Sequence, residues 1–347
     1  MKGFIKKSLF FGVLAVVFAF SAFGAGCKKE KKDGEVYVYM PDGAPALALA
    51  GAMATDTETD GVSYRVVDPT LIKTKVTAKD AADNADICVL PLTAATKLLG
   101  SGEKYQMLGA VTHGNLYMIA KDGVQYTAEN LSTLVGKTVG VIQLAEVPGL
   151  VFKTVLKKNG VEYNDLTGGN SVSATAVNLR AITGPQEVGV ATDVDCFVLA
   201  EPAVTAQSAK GYSIVGDLQA LYGGENGYPQ AVIVAKNSLI DERAEWLDSF
   251  VQGIVQSVSW LRTADGASIV SAVSAHLEDG YATTNLKAPM LKPEVVERCG
   301  VWFSRAKDCS QDVNAFLSVA KEVSSAQATL PATAFFCTRT FGLDGIL

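Results

Sequence analysis

Histidine is nearly absent: the 347 residues hold two, His113 and His276. A Ser/His/Asp arrangement would have to use one of them, and nothing near either suggests it. Among the six cysteines there is no Cys-x-x-Cys pair and no Cys/His ligand spacing, which argues against a structural zinc site. A Gly-x-Ser-x-Gly elbow is missing. Gly100-Ser101-Gly102 lacks the third glycine of a dinucleotide turn and follows a helix-like run. The Gly-rich stretch 167–171 lacks the Walker lysine. Positive charge is in deficit, with 30 Lys+Arg against 36 Asp+Glu, and no basic stripe appears, so nucleic acid is not an expected partner. No repeat with a period of roughly 20–50 residues is visible. What remains is an ordinary globular composition, 48% hydrophobic, with apolar residues spread along the chain. The length fits about two domains of roughly 150 residues each.

The first residues read as an address rather than as part of the fold. Lys2, Lys6 and Lys7 precede a nearly unbroken apolar run over 9–23, and no acid appears before Glu30. This is the layout of an export signal, and the run is short for a membrane span. Phe23-Gly24-Ala25-Gly26-Cys27 resembles a bacterial lipobox, except that Gly24 stands where Leu is usual. The expectation is a signal peptide over 1–26, lipidation at Cys27 and a polar tether over 27–34. The alternative is a plain secretory signal cut nearby. Loss of 1–26 removes three lysines and no acid, taking the formal charge from −6 to −9. Such a body disfavours capture of polyanions, though not a local site for one anion. Cys88 and Cys196 sit in apolar strand-like runs and read as buried thiols. One disulfide is open to Cys299, Cys309 and Cys337, which would leave a thiol over.

From Glu35 onward, strand-like and helix-like runs alternate. Strands are expected over 36–40, 63–67, 87–90, 107–111, 116–120, 138–142, 174–182, 196–199, 212–215 and 230–235. Helices are expected over 44–54, from 91 to about 99 with Gly100 as stop, 148–159 with Gly160 as stop, and 201–211. Asp241 is expected to cap a long helix through Leu261, with Trp246, Phe250, Ile254, Val258 and Leu261 on one face. Later helices are expected over 295–303 and 310–323, with a loop over 282–291. This alternation implies βαβ units and largely parallel sheets. Two such sets suggest two α/β lobes with a cleft between them: lobe 1 over 35–118 and 236–347, lobe 2 over 119–235.

Four segments carry a resemblance to a known family. They are Met40-Pro41-Asp42-Gly43-Ala44-Pro45, Leu90-Pro91-Leu92-Thr93-Ala94-Ala95, Leu134-Val135-Gly136-Lys137-Thr138-Val139-Gly140-Val141, and Asp195-Cys196-Phe197-Val198-Leu199-Ala200-Glu201-Pro202. In that order they resemble the type II periplasmic-binding-protein-like solute receptors of ABC importers. The branch is the one containing nitrate, sulfonate, taurine and thiamine-precursor binding proteins. The resemblance implies a two-lobe receptor, each lobe a mostly parallel sheet flanked by helices. It would close on a small solute at the hinge and dock on a membrane permease. It implies no cofactor, no bound metal and no catalysis. It also implies a monomer outside the cytoplasm, held by the Cys27 lipid.

Ligands of open α/β sheets sit outside the carboxyl ends of the strands, where helix N-termini point free N–H groups. The candidate ligand-binding residues are therefore those of the predicted strand-to-helix turns: Asp42, Gly43, Ala44, Leu92, Thr93, Gln143, Leu144, Ala145, Glu146, Val147, Thr183 and Glu201. The predicted crossovers add His113, Asn115, Tyr228 and Gln230. Each has a purely structural reading too: Asp42 and Thr93 as helix caps, His113 as a hydrogen-bonded loop residue, Glu201 as a turn residue, Tyr228 as hinge packing. His276 reads as a surface residue. No arginine falls in these loops, which weighs against a dianion; Glu146 and Tyr228 favour a heteroaromatic or cationic solute, while helix N-termini favour an anion. A thiamine- or riboflavin-like precursor ranks slightly above an alkyl sulfonate. The alternatives are an enzyme on the same architecture with Glu146 or His113 as its base, and a sensory or surface-interaction lipoprotein.

Overall fold

The computed structural model describes residues 34–56, 61–224 and 226–345. The predicted signal peptide, Cys27 and all of the tether but Gly34 lie outside the described residues. The first strands are β1 (Val36–Pro41), β2 (Val62–Val67), β3 (Ile87–Pro91), β4 (Tyr105–Thr112), β5 (Leu116–Ala120) and β6 (Thr138–Ile142). They are followed by β7 (Tyr163–Asp165), β8 (Val177–Ile182), β9 (Cys196–Ala200), β10 (Ser213–Asp217), β11 (Ala231–Lys236) and β12 (Val301–Arg305). The helices of the first half are α1 (Ala44–Leu47), α2 (Ala50–Thr55), α3 (Ile72–Lys75), α4 (Leu92–Leu99), α5 (Val147–Lys158) and α6 (Ala203–Ala206). Those of the second half are α7 (Leu218–Tyr222), α8 (Asn237–Glu242), α9 (Ala244–Leu261), α10 (Gly266–Ser274), α11 (Pro293–Arg298) and α12 (Ala306–Val323).

The strands form two six-stranded sheets. The first has the order β12-β4-β11-β3-β1-β2 and the second β10-β5-β9-β6-β8-β7. Each contains the same pattern. A first strand (β1 or β6) is flanked in parallel by its second (β2 or β8) and third (β3 or β9). A strand arriving from the other sheet (β11 or β5) is then inserted antiparallel between the third and the fourth (β4 or β10). The chain passes between sheets twice, at 113–115 and at 218–230. Both passages end before the expected boundaries: Leu116 to Ile119 already pair with β9 in the second sheet, and Ala231 to Ala235, expected in lobe 2, pair with β3 and β4 in the first.

Alternation sorts the side chains. In β1 every position is apolar, because both faces of a central strand are covered. Val36, Val38 and Met40 enter one core, while Tyr37 and Tyr39 enter another. The second of these cores is shared: one face of each sheet feeds it, with α4, α5, α7 and α12 packed between. The opposite faces keep separate cores, a large one under α1, α2, α9 and α10 for the first sheet and a small one around Phe197, Leu199 and Val204 for the second.

Several expected elements differ. The run 44–54 breaks at Ala48-Leu49 into α1 and α2. Asp241 lies inside α8, and the long helix starts after a break at Arg243. Its buried face is Leu247, Phe250, Val251, Ile254, Val258 and Leu261, with Trp246 half-buried against Phe250. The stretch 295–303 is not one helix: Gly300, at φ +64, ends α11, and Val301-Trp302-Phe303 begins β12 on the edge of β4. β-Branched and aromatic residues in a row favour the pleated edge once a glycine has broken the helix. Cys299, Cys309 and Cys337 are all free and buried, as are Cys88 and Cys196. Burial pushes the Cys299 thiol up to about 12. His276 is not a surface residue: its ring lies between the Ala272 carbonyl at 2.8 Å and the Asp56 carboxylate at 3.1 Å.

Candidate functional site

Register fixes where the strand ends gather. Pro91 and Thr112 both pair with Ala231, and Thr112 also pairs with Val301. The carboxyl ends of β1, β3 and β4 therefore share one edge of the first sheet with the starts of β11 and β12. In the second sheet Ile142 pairs with Ile182, Leu116 with Ala200 and Tyr117 with Asp217. That collects the carboxyl ends of β6, β8, β9 and β10 beside the start of β5. The passage at 113–115 joins these two edges, so they face each other.

Some predicted residues at these edges are committed to the chain itself. The Asp42 carboxylate, 5% exposed, accepts four hydrogen bonds: from the Gly43 N–H (2.8 Å), the Thr284 hydroxyl (2.6 Å), the Tyr281 hydroxyl (2.7 Å) and the Asn285 N–H (2.6 Å). It ties the loop 281–285 to the end of β1. Ala44, Leu92 and Leu144 are buried in the cores. The phenol of Tyr228 is fully buried, stacked on Phe316 and edge-on to Tyr222, with no hydrogen-bond partner for its hydroxyl, so it offers no face to the cleft. Asn115 and Gln230 clasp the two passages: the Gln230 amide donates to Asn115 Oδ1 at 3.0 Å, and its carbonyl accepts the Asn115 N–H at 3.1 Å.

Glu201 is committed across the cleft. Its side chain is wholly buried, and its carboxylate accepts from Arg298 Nε at 2.7 Å and from the Thr205 hydroxyl at 2.8 Å. Arg298 Nη2 also reaches the Thr205 hydroxyl at 2.9 Å, and the Arg298 carbonyl accepts from Tyr117 Oη at 3.0 Å. Gly300 presses against the first passage, where a Cβ would stand 2.4 Å from the His113 carbonyl oxygen. His113, 2% exposed, stacks on Trp302 at 3.9 Å between ring centroids, and neither ring nitrogen has a hydrogen-bond partner. Desolvation pushes its pKa down to about 3, so the imidazole is neutral at physiological pH.

The open part of the edges lies elsewhere. Gly43, at φ +103, has empty space where a side chain would be. Thr93 lies on the first turn of α4 and is nearly buried. Across from them Gln143 is exposed, and it holds φ +48, a left-handed conformation uncommon outside glycine. Ala145 and Glu146 are exposed, Val147 half-buried, and Glu146 makes no capping bond to α5. Gln327 donates to the Ala145 carbonyl at 2.6 Å. Thr183 is held by Glu187 at 2.5 Å. A separate cavity of about 350 Å³ lies between α10 and the loop 282–289, behind the Asp42 tie. Among the described residues no group of three or more His, Cys, Asp or Glu is placed to hold a metal ion, and no helix is long and apolar enough to cross a membrane.

A family model described as NMT1/THI5 like matches residues 60–264, more than half of the chain. The chain belongs to the NMT1/THI5-like family. Solved structures agree on the fold. An ABC transporter protein from Parabacteroides distasonis is 19% identical with a TM-score of 0.66, over 88% of this chain and all of that one. The periplasmic aliphatic sulphonate binding protein SsuA from Escherichia coli is 10% identical with a TM-score of 0.61, over 89% of this chain and 94% of that one. The ligand binding component of an ABC-type import system from Staphylococcus aureus, with zinc bound, is 13% identical with a TM-score of 0.54, over 88% and 97%. No curated protein matches. The architecture is that of the periplasmic binding proteins.

For this NMT1/THI5-like chain, reading the sequence alone missed Arg298 and Trp302. Both lie in the stretch expected as one helix, where neither would fall at a strand end. The signal that could have placed them is Gly300 followed by Val301-Trp302-Phe303, a helix stop before a β-prone run.

Proposed function

We propose that the chain is the extracytoplasmic solute-binding component of an ABC importer. It captures a small solute between the two sheets' strand ends and delivers it to a membrane permease. The observation that carries this reading is the pair of facing edges, each the carboxyl end of a sheet built on the same five-strand pattern, joined by two passages. Membership of the NMT1/THI5-like family supports it, as do neighbours whose names describe import and sulphonate binding. Lipid attachment at Cys27 and action as a monomer belong to the same proposal. The residues proposed to touch solute are Gly43, Thr93, Gln143, Ala145, Glu146, Val147 and Thr183. They offer neutral donors and acceptors and one carboxylate. Arg298, which the fold brings to these edges, is taken up by Glu201 and Thr205. That favours a neutral or cationic solute over an alkyl sulfonate.

An enzymatic reading gains no support from the two candidate bases. His113 is buried away from the open edge, and Glu146 is exposed to water. Thermal melting against a panel of alkyl sulfonates and pyrimidine and flavin vitamin precursors tests the proposal. A solute that binds only the folded chain raises the midpoint with concentration, by roughly RT ln(1 + [L]/Kd). Native mass spectrometry of the purified chain reads any co-purified solute. An unshifted midpoint across the panel, together with no co-purified small molecule, would overturn it.

A further inference from the structure

The two sheets are joined differently on their two sides. On the side of the shared core, α12 of the first sheet packs along α5 of the second, with Phe316, Leu317 and Ala320 in the same apolar cluster as Phe152, Val155 and Leu156. On the other side the cores are separate: Val296 of α11 belongs to the core of the first sheet, and Val204 of α6 to that of the second. What spans this side is polar. Arg298, at the end of α11, donates to the buried Glu201 carboxylate and to the Thr205 hydroxyl, and its carbonyl takes the Tyr117 hydroxyl. The corner that presents Arg298 is fixed in place. The Gly300 carbonyl accepts the His113 N–H at 2.8 Å, and Trp302 stacks on the His113 ring. The seam is apolar inside, with exposed polar contacts at its margin from Lys157 to Glu322 and from Gln327 to the Ala145 carbonyl; its apolar contacts are non-directional and tolerate small rotations. A charge-assisted pair holds one geometry.

We infer that Arg298 is a positioning residue: its ion pair with Glu201 and Thr205 latches the two lobes, and the α5–α12 seam is the pivot about which they part. This deepens the capture reading, since the latch sets how far apart the solute-binding edges stand. Breaking it leaves the seam and both passages intact and lets the edges separate. Removing Arg298 also strands the buried Glu201 charge, which pays for its solvation by moving out of the interface.

The test is the lobe-to-lobe distance in the full chain, measured without added solute. Spin labels at Glu294 on α11 and at the exposed Val190 of the second lobe lie on the latch side, and double electron–electron resonance reads their separation. The unaltered latch gives a single short distance population. Arg298→Ala raises the ratio of long to short populations by at least about tenfold. The double exchange Arg298→Glu with Glu201→Arg brings the short population back. Thr205→Val, which removes one hydroxyl and no charge, gives an intermediate lengthening and keeps the test available if Arg298→Ala does not fold. An unchanged distribution in Thr205→Val and in any folded Arg298 variant overturns the latch, as does a double exchange that stays open. Because no solute is present, a failed latch leaves the capture proposal to its own melting test, and a panel without binders leaves the latch standing.

Discussion

The two sheets share a five-strand pattern, with β12 and β7 added at opposite edges, yet they use the same topological position for different purposes. After β1 the turn carries Asp42, whose carboxylate is saturated by four donors of its own chain and knits the loop 281–285 to the sheet. After β6 the equivalent turn carries Gln143 and Glu146, exposed and without such ties, with Gln143 held at φ +48. After β3 the chain enters α4 with a buried Leu92, whereas after β9 it presents Glu201 to an arginine of the other lobe. A strand end therefore says where a functional side chain can stand. It does not say whether that side chain is free. Freedom is decided by what the rest of the chain packs against the turn, and here the second sheet keeps the free turn.

The largest expected effect probes the corner that the second sheet lacks. Gly300 and Gly211 both hold positive φ, but a Cβ on Gly300 meets backbone oxygens of 113 and 114, while one on Gly211 meets nothing within 4 Å. Gly300→Ala should lower stability by about 3 kcal/mol or more, and Gly211→Ala by about 1–2 kcal/mol, in denaturant titration. Equal losses would mean that the corner is not seated on the passage.

Next comes the contrast between the two turns. Asp42→Asn leaves one oxygen to accept where two accepted, so one backbone N–H, that of Gly43 or Asn285, faces an amide NH2 and loses its acceptor; we expect a loss of about 2 kcal/mol. Glu146→Gln should change stability by less than about 0.5 kcal/mol and alter solute affinity instead. Comparable destabilisation by both would erase the distinction between a committed and a free turn.

The passage between sheets gives a pH-dependent prediction. Burial holds the folded His113 imidazole at about 3, against roughly 6.5 in an unfolded chain. Between those values unfolding takes up a proton, so the stability contribution is fully present above about pH 6.5 and is lost as pH falls. At pH 5 this one group should lower stability by about 2 kcal/mol relative to pH 8. His113→Phe, which keeps the stack on Trp302, should remove that slope. An identical pH dependence in the two proteins would place the acid sensitivity in other groups.

Much of the fold was legible because burial leaves a periodic mark. The strands at β5 and β6 were readable to the residue from runs of apolar side chains, and the ends of α4 and α5 to within one residue from their glycine stops. The failures share a cause: long-range pairing overrode local pattern. Val301-Trp302-Phe303 looks helical beside Val295-Val296 until Gly300 and the edge of β4 are considered together. His276 looked exposed because its partner Asp56 lies 220 residues away in sequence. The edges of the cleft followed from topology, but the commitment of Asp42 to residues 281–285 and of Glu201 to Arg298 did not. Those are contacts between segments whose spacing carries no periodic signal.

The central claim is that one solute is held between the edges of two sheets. Amide hydrogen exchange with and without the strongest binder of the melting panel tests it most directly. The account predicts slowed exchange in both turns at once, around Gly43 and Thr93 in the first sheet and around 143–147 and Thr183 in the second. Protection confined to one sheet, or to the residues of the cavity between α10 and the loop 282–289, would contradict it.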